Sequence, residues 1–216
     1  MGVKLVRKKL SDFHSEESLR NDYQYISSFK TNDDNFYTYR SLFDFVPYKK
    51  VDIERLDRFE YAEIGNVNKL GEVTPIELSF EDRQEEYENL FKKIEKGDII
   101  NPQKGDILIS KIRPYLNKNV LINSGDQYFT KAFIHIRPKI NSELLYIVIR
   151  SIFLNLLNAV SRKGKGYPTL KEDDIKTIRF SKLLVDKLIK NENLLLKKIH
   201  PINSEIVTLK STKKNT

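Results

Sequence analysis

The run from Gly105 to Lys118 reads GDILISKIRPYLNK and constrains the chain more than any other stretch, because an apolar segment passes directly into a cationic, aromatic one. Lys104, Gly105 and Asp106 read as a turn. Ile107, Leu108, Ile109 and Ile112 read as a strand bounded by that turn and by Pro114. Proline cannot donate to a strand ladder and disfavours the helical region for the residue before it, which predicts an extended Arg113. Lys111, Arg113, Tyr115 and Lys118 are then presented from a strand end and its loop, a placement suited to an anionic partner. A β-edge with solvated charges and a tyrosine covering the core is the alternative, since loops are often polar without a function.

With 216 residues the chain has room for one large domain, or one domain of about 150 residues with an appendage. Lys and Arg number 38 against 30 Asp and Glu, a formal charge of +8 with a pI near 9.4. That excess favours nucleic acid, an acidic partner or an anionic surface. The sequence contains no cysteine, which excludes disulfides, thiol nucleophiles and cysteine-ligated zinc. Met1–Lys4 lacks the apolar core of a signal peptide and every apolar run is shorter than a membrane span, so the expectation is a cytoplasmic protein with no membrane contact.

Along the chain, Val3–Arg7 is a candidate strand, Glu16–Ser28 a candidate short helix, and Thr31–Asn35 a turn. Phe36–Phe45 suits either a strand or a short helix. Phe59, Tyr61, Ala62, Ile64 and Val67 alternate approximately, predicting a strand, and Gly71–Leu78 a second extended segment. Residues 81–96 are charged, with Tyr87, Leu90, Phe91 and Ile94 at helical spacing, which predicts an amphipathic helix stopped by Gly97. Val120–Asn123 is a short strand, and Tyr128–Pro138 a longer one that also ends in an Arg-Pro pair. After Asn141 and Ser142, which can cap, residues 143–160 carry a wide apolar face from Leu145 to Val160 and read as one helix. Ser161–Pro168 is a basic, glycine-containing loop, Thr169 or Asp173 can start a short helix or turn, and Thr177–Phe180 is a last strand.

Beyond Ser181, Val185, Leu188, Leu195, Ile199, Ile202, Ile206 and Leu209 follow alternating three- and four-residue steps, with Glu192 breaking the seam. This predicts a coiled-coil-like helix over 181–199, divided by Pro201 from a further piece. The expected organisation is a domain over 1–180 and a helical tail over 181–216. The tail either folds back on its own domain or packs on a partner.

Catalytic signatures are weak. His14, His135 and His200 are the only histidines and none has a metal-pairing neighbour at helical or strand spacing, so no metal site is expected. Asn101-Pro102-Gln103 resembles part of an adenine methyltransferase motif but lacks its second proline and its aromatic. Asp174 and Lys176 have the spacing of a metal nuclease triplet, yet they sit in the acidic start of a helix, where Asp174 is better explained as a cap. Gly164–Gly166 lies in no nucleotide-phosphate fingerprint. No cofactor is expected. The cationic loops carry more: Lys111, Arg113, Tyr115 and Lys118; then Arg137 and Lys139; then Arg162, Lys163, Lys165 and Tyr167. Lysines and loop glycines would position phosphates, while arginines and amides such as Asn117 and Asn119 would read base edges.

Residues 105–118 resemble the signature strand and loop of target recognition domains in the specificity subunits of type I restriction-modification systems. Further segments agree in order: Arg20–Tyr25, Tyr61–Ile64, Phe129–Pro138, Leu145–Ser151, and Gly166–Leu170 with Asp174–Ile178. The likeness spans about residues 18–180. It implies an α+β fold, a twisted and largely antiparallel sheet with flanking helices, followed here by the coiled-coil-like C-terminal helix. It also implies sequence-specific binding of double-stranded DNA, directing an adenine methyltransferase subunit or domain and a nuclease or translocase subunit, without catalysis of its own. Residues 179–184 lack the proline and glutamine pattern that leads into the family's long helix, and a full specificity subunit has two such domains where this chain has room for one. A half-subunit that forms a homodimer through its tail and a domain of a fused enzyme both remain open. The competing function is a non-catalytic interaction protein that recruits a partner through the tail and binds nucleic acid without sequence preference.

Overall fold

The computed structural model describes residues 36–52, 57–162, 166–194 and 197. The candidate elements within 1–30 and most of the tail seam lie outside these residues. The strands are β1 (Phe36–Tyr37), β2 (Phe43–Phe45), β3 (Arg58–Ala62), β4 (Ile76–Ser79), β5 (Ile107–Ser110), β6 (Val120–Leu121), β7 (Gln127–Phe129), β8 (Phe133–Pro138) and β9 (Phe180–Ser181). The helices are α1 (Glu88–Glu95), α2 (Ser142–Arg150), α3 (Leu154–Val160), α4 (Glu172–Lys176) and α5 (Lys182–Lys190).

The main sheet has the order β2-β8-β5-β6 and is antiparallel throughout, with Ile107 opposite Ile136 and Leu108 opposite His135. A second sheet, β4-β3-β7, is antiparallel between β3 and β4 and parallel between β3 and β7. β1 and β9 form a third, two-stranded pair. β5 explains its own composition: Ile107 and Ile109 pack with α2 and α3, while Leu108 packs on the opposite face with Phe129 and Phe133. A strand buried on both faces reads as a continuous apolar run rather than an alternation.

α1 follows the expected spacing, burying Phe91 and Ile94 against Phe59, Tyr61 and Leu78. It ends in paired closing bonds, Gly97 N to Ile94 O (2.8 Å) and Asp98 N to Lys93 O (2.9 Å), with Gly97 at φ 83°. Only a residue that tolerates positive φ can make this exit. Asp98, placed by that exit, divides the strand expected over Tyr128–Pro138. Its carboxylate accepts from Thr130 Oγ1 (3.1 Å) and from Lys131 N (2.8 Å), turning the chain at Thr130–Ala132 so that β7 joins the second sheet and β8 the main one.

The helix expected over 143–160 is also two. Asn141 caps α2 as predicted, its Oδ1 accepting from Leu144 N at 3.0 Å. At Ser151 the hydroxyl donates to Ile147 O (2.6 Å), and Phe153 N reaches Val148 O (2.9 Å). Back-bonding of this kind competes with regular helix geometry. α3 departs from α2 by 60°, carrying Phe153 onto Phe180 with ring centres 4.4 Å apart. α5 begins by folding back, with Val185 buried in the main core and Leu188 packed on it, while Leu183 and Ile189 stay exposed. No single helix among the described residues is long and apolar enough to cross a membrane.

Candidate nucleic-acid interface

At the end of β5 the chain meets the loop that precedes α4, and backbone hydrogen bonds join the two. Arg113 N donates to Pro168 O (2.8 Å) and Leu170 N to Lys111 O (2.8 Å), while Arg162 N to Thr169 O (2.7 Å) closes the second loop on itself. Two loops separated in sequence thereby form one ridge. Ile112, Tyr115 and Tyr167 project from it, 42%, 50% and 62% exposed.

Arg113 is not extended. It lies in the left-handed region at φ 50° and ψ 58°, followed by a 3-10 turn over Pro114–Leu116, with Asn117 left-handed again at φ 55°. The preference against helical geometry before proline is met by crossing to the left-handed side, at a cost on the order of 1–3 kcal/mol for a non-glycine residue. The bond to Pro168 and the Leu116 N to Arg113 O bond (2.9 Å) hold it there. The Arg113 guanidinium lies 3.3 Å from the centre of the Tyr167 ring, and its Nε is buried without a hydrogen-bond partner among the described residues. Neither Glu63 nor Asp106 pairs with it. Glu63 pairs with Lys93 (2.7 Å), and Asp106 is held by Arg137 and His135.

The other predicted residues are more firmly tied. Arg137 forks onto buried Asp106, Nε to Oδ1 at 2.8 Å and Nη2 to Oδ2 at 2.9 Å, while His135 Nε2 lies 2.7 Å from Oδ2. Burial pushes the Asp106 carboxyl up, but the bonds from His135, Arg137 and the Gln103 amide outweigh it and hold the group down at about 2. Arg162 pairs with Asp174, which is fully buried and caps α4 by accepting from Lys171 N at 2.9 Å. Lys118 Nζ donates to Ile64 O (3.0 Å), and Lys139 pairs with Asp44 (2.7 Å). Asn117 Nδ2 donates to Arg150 O (3.0 Å), and Asn119 is buried with its Oδ1 accepting from Ser110 N (3.2 Å). Lys163 and Lys165 lie outside the described residues.

Lys111 turns toward a residue the sequence reading passed over, Tyr48. Its ammonium donates to the Tyr48 hydroxyl and to Lys131 O (2.6 Å), and burial lowers its pKa. Burial, with Glu172 and Asp98 nearby, raises the Tyr48 hydroxyl to about 12. Pro47-Tyr48-Lys49-Lys50 combines proline, an aromatic ring and cations as the 111–118 loop does, so the same criterion would have found it. Arg150 was also missed as a loop contact. Its guanidinium donates to Asn117 O (2.9 Å), Asn119 O (3.1 Å) and Lys69 O (2.5 Å), holding the 113–119 loop from behind.

The sequence matches no family model and no curated protein. The fold does match solved structures. One is the HsdS subunit from Thermoanaerobacter tengcongensis, with TM-score 0.51 at 20% identity over 77% of this chain and 43% of that one. Another comes from a structural study of complex assembly and conformational transition of the type I R-M system, with TM-score 0.53 at 19% identity over 79% of this chain and 45% of that one. The chain therefore has the fold found in these chains and spans less than half the length of each.

Proposed function

We propose that this chain is a target recognition module that binds double-stranded DNA by sequence and directs a separate adenine methyltransferase, together with a nuclease or translocase, to its site. The observation that carries the reading is Arg113: a strained, left-handed arginine stacked on an exposed tyrosine at the crest of a two-loop ridge, with no carboxylate among the described residues to neutralise it. Strain of this kind persists where surrounding bonds over-determine it, and it concentrates at functional positions. A planar fork held in this way suits bidentate recognition of a guanine edge, and the exposed Tyr115 and Tyr167 rings suit contact with sugars and bases. The fold shared with HsdS supports the same reading.

The test is a selection of preferred duplexes from a random library by the full chain, followed by competition between the selected and random duplexes. Arg113→Ala is expected to weaken the selected duplex by about 1–3 kcal/mol while changing random duplex less. An equal loss on both assigns Arg113 to scaffold. Absence of duplex binding at low salt removes the reading. The exposed Leu183 and Ile189 on α5 favour the competing interaction-protein function, for which the selection would yield no preferred duplex.

A further inference from the structure

The segment after β2 leaves the main sheet with Val46 N bonded to His135 O (2.9 Å), and Pro47 ends the ladder there. Tyr48 then fastens the strap, its hydroxyl donating to Phe133 O at 3.1 Å. Under the strap lies a cavity of about 450 Å³ whose lining includes Lys49, Lys50, Asn101, Gln103, His135 and Arg137. Lys111 Nζ and Lys131 Nζ lie 4.9 and 5.3 Å from the centre of the Tyr48 ring. Five cations, Lys49, Lys50, Lys111, Lys131 and Arg137, are thus grouped along one strap.

Two of the nearby carboxylates are already engaged, one of them by Arg137 itself. Asp106 is filled by Arg137, His135 and the Gln103 amide, and Asp98 by Thr130 and the Lys131 amide. Glu172 acts on Lys111 and Tyr48 through space. Lys49 and Lys50 are exposed and make no hydrogen bond or ion pair among the described residues. Arg137, though bonded to Asp106, keeps a side chain 48% exposed. Like charges crowded in this way repel unless a polyanion offsets them.

We propose that the Tyr48–Lys50 strap and Arg137 form a second phosphate-binding surface that follows the DNA backbone away from the Arg113–Tyr167 ridge. This rests on the DNA reading. Lys111 links the two parts, two residues from Arg113 in the chain and in contact with Tyr48. The ridge reads bases and the strap positions phosphates without sequence preference.

Lys49→Ala combined with Lys50→Ala in the full chain tests this. Two lost phosphate contacts reduce the slope of log K against log salt by about 1.8. The loss is expected to be similar on selected and random duplexes, with thermal unfolding unchanged, the opposite of the Arg113→Ala pattern. If the unmodified chain binds duplex and the double variant keeps its slope and affinity, the strap surface is wrong and the DNA reading stands. If inorganic phosphate or a nucleoside monophosphate stabilises the unmodified chain but not the double variant, and the duplex slope is unchanged, the cavity takes small anions and the proposal is overturned. If the unmodified chain binds no duplex, both fall.

Discussion

Asp106 shows how one buried side chain can set the pH response of the domain. Its carboxylate accepts from Arg137, from the Gln103 amide and from the His135 side, so it stays ionised in the fold down to about 2 against an ordinary 3.8. A carboxylate with a depressed folded-state pKa holds its proton more weakly folded than unfolded. It therefore contributes stability above pH 4 that is lost as pH falls through 2, on the order of 2 kcal/mol. Urea unfolding of Asp106→Asn across pH 2 to 7 is expected to show that acid-side loss flattened. At pH 7 the variant should be destabilised by about 3 kcal/mol, because the Arg137 charge and His135 lose their partner. An unchanged acid limb would assign the acid sensitivity to other carboxylates. The Asp106 turn was legible from Gly105-Asp106, but its two partners were not, since they arrive from β8 by strand pairing. Arg113 was misread for the same reason: the rule for residues before proline excludes one region, and the bond from Pro168 selects among those left.

At the scale of elements, local sequence sufficed where local bonds decide. The α1 spacing, its Gly97 exit, the Asn141 cap and the apolar β5 run were all readable. It failed where a distant group intervenes, as when Asp98 turns the chain at Thr130 and when Phe153 bends away from α2 to reach Phe180. The link between α2 and the 113–119 loop is of that second kind. Arg150 binds two loop carbonyls, and Tyr146 donates to Asn119 O at 3.0 Å. Gly71, at φ 82°, lets the chain pass so close that a Cβ would stand 2.0 Å from the Tyr146 hydroxyl and 2.4 Å from Asn119 O. Arg150 is thus a positioning residue for the loop. Arg150→Ala is expected to lower the affinity ratio between selected and random duplex several-fold while leaving random-duplex binding near that of the unmodified chain. Arg150→Lys, which retains a donor, should recover part of that ratio. A ratio unchanged in both variants would show that the loop keeps its form without this clamp.

For the whole molecule, the +8 charge is informative only once its distribution is considered. Arg137, Arg162 and Lys139 are paired with Asp106, Asp174 and Asp44, whereas Arg113, Lys49 and Lys50 have no carboxylate among the described residues. Arg113 lies on the ridge and Lys49 and Lys50 on the strap, two parts that Lys111 joins through its contact with Tyr48. Among the described residues no three His, Cys, Asp or Glu side chains gather as metal ligands. The cysteine-free sequence carries no thiol nucleophile, and its glycines fall in no cofactor fingerprint. On the proposed function, the isolated chain is expected to bind duplex DNA without altering it. Incubated with its selected duplex, S-adenosylmethionine and magnesium, it should leave methylation at background and the duplex uncut. Addition of a cognate methyltransferase should place the methyl group within the selected sequence, and Arg113→Ala should reduce that transfer in proportion to its loss of binding. Methylation or cleavage by the purified chain alone would overturn the division of labour between a module that selects the site and a partner that performs the reaction.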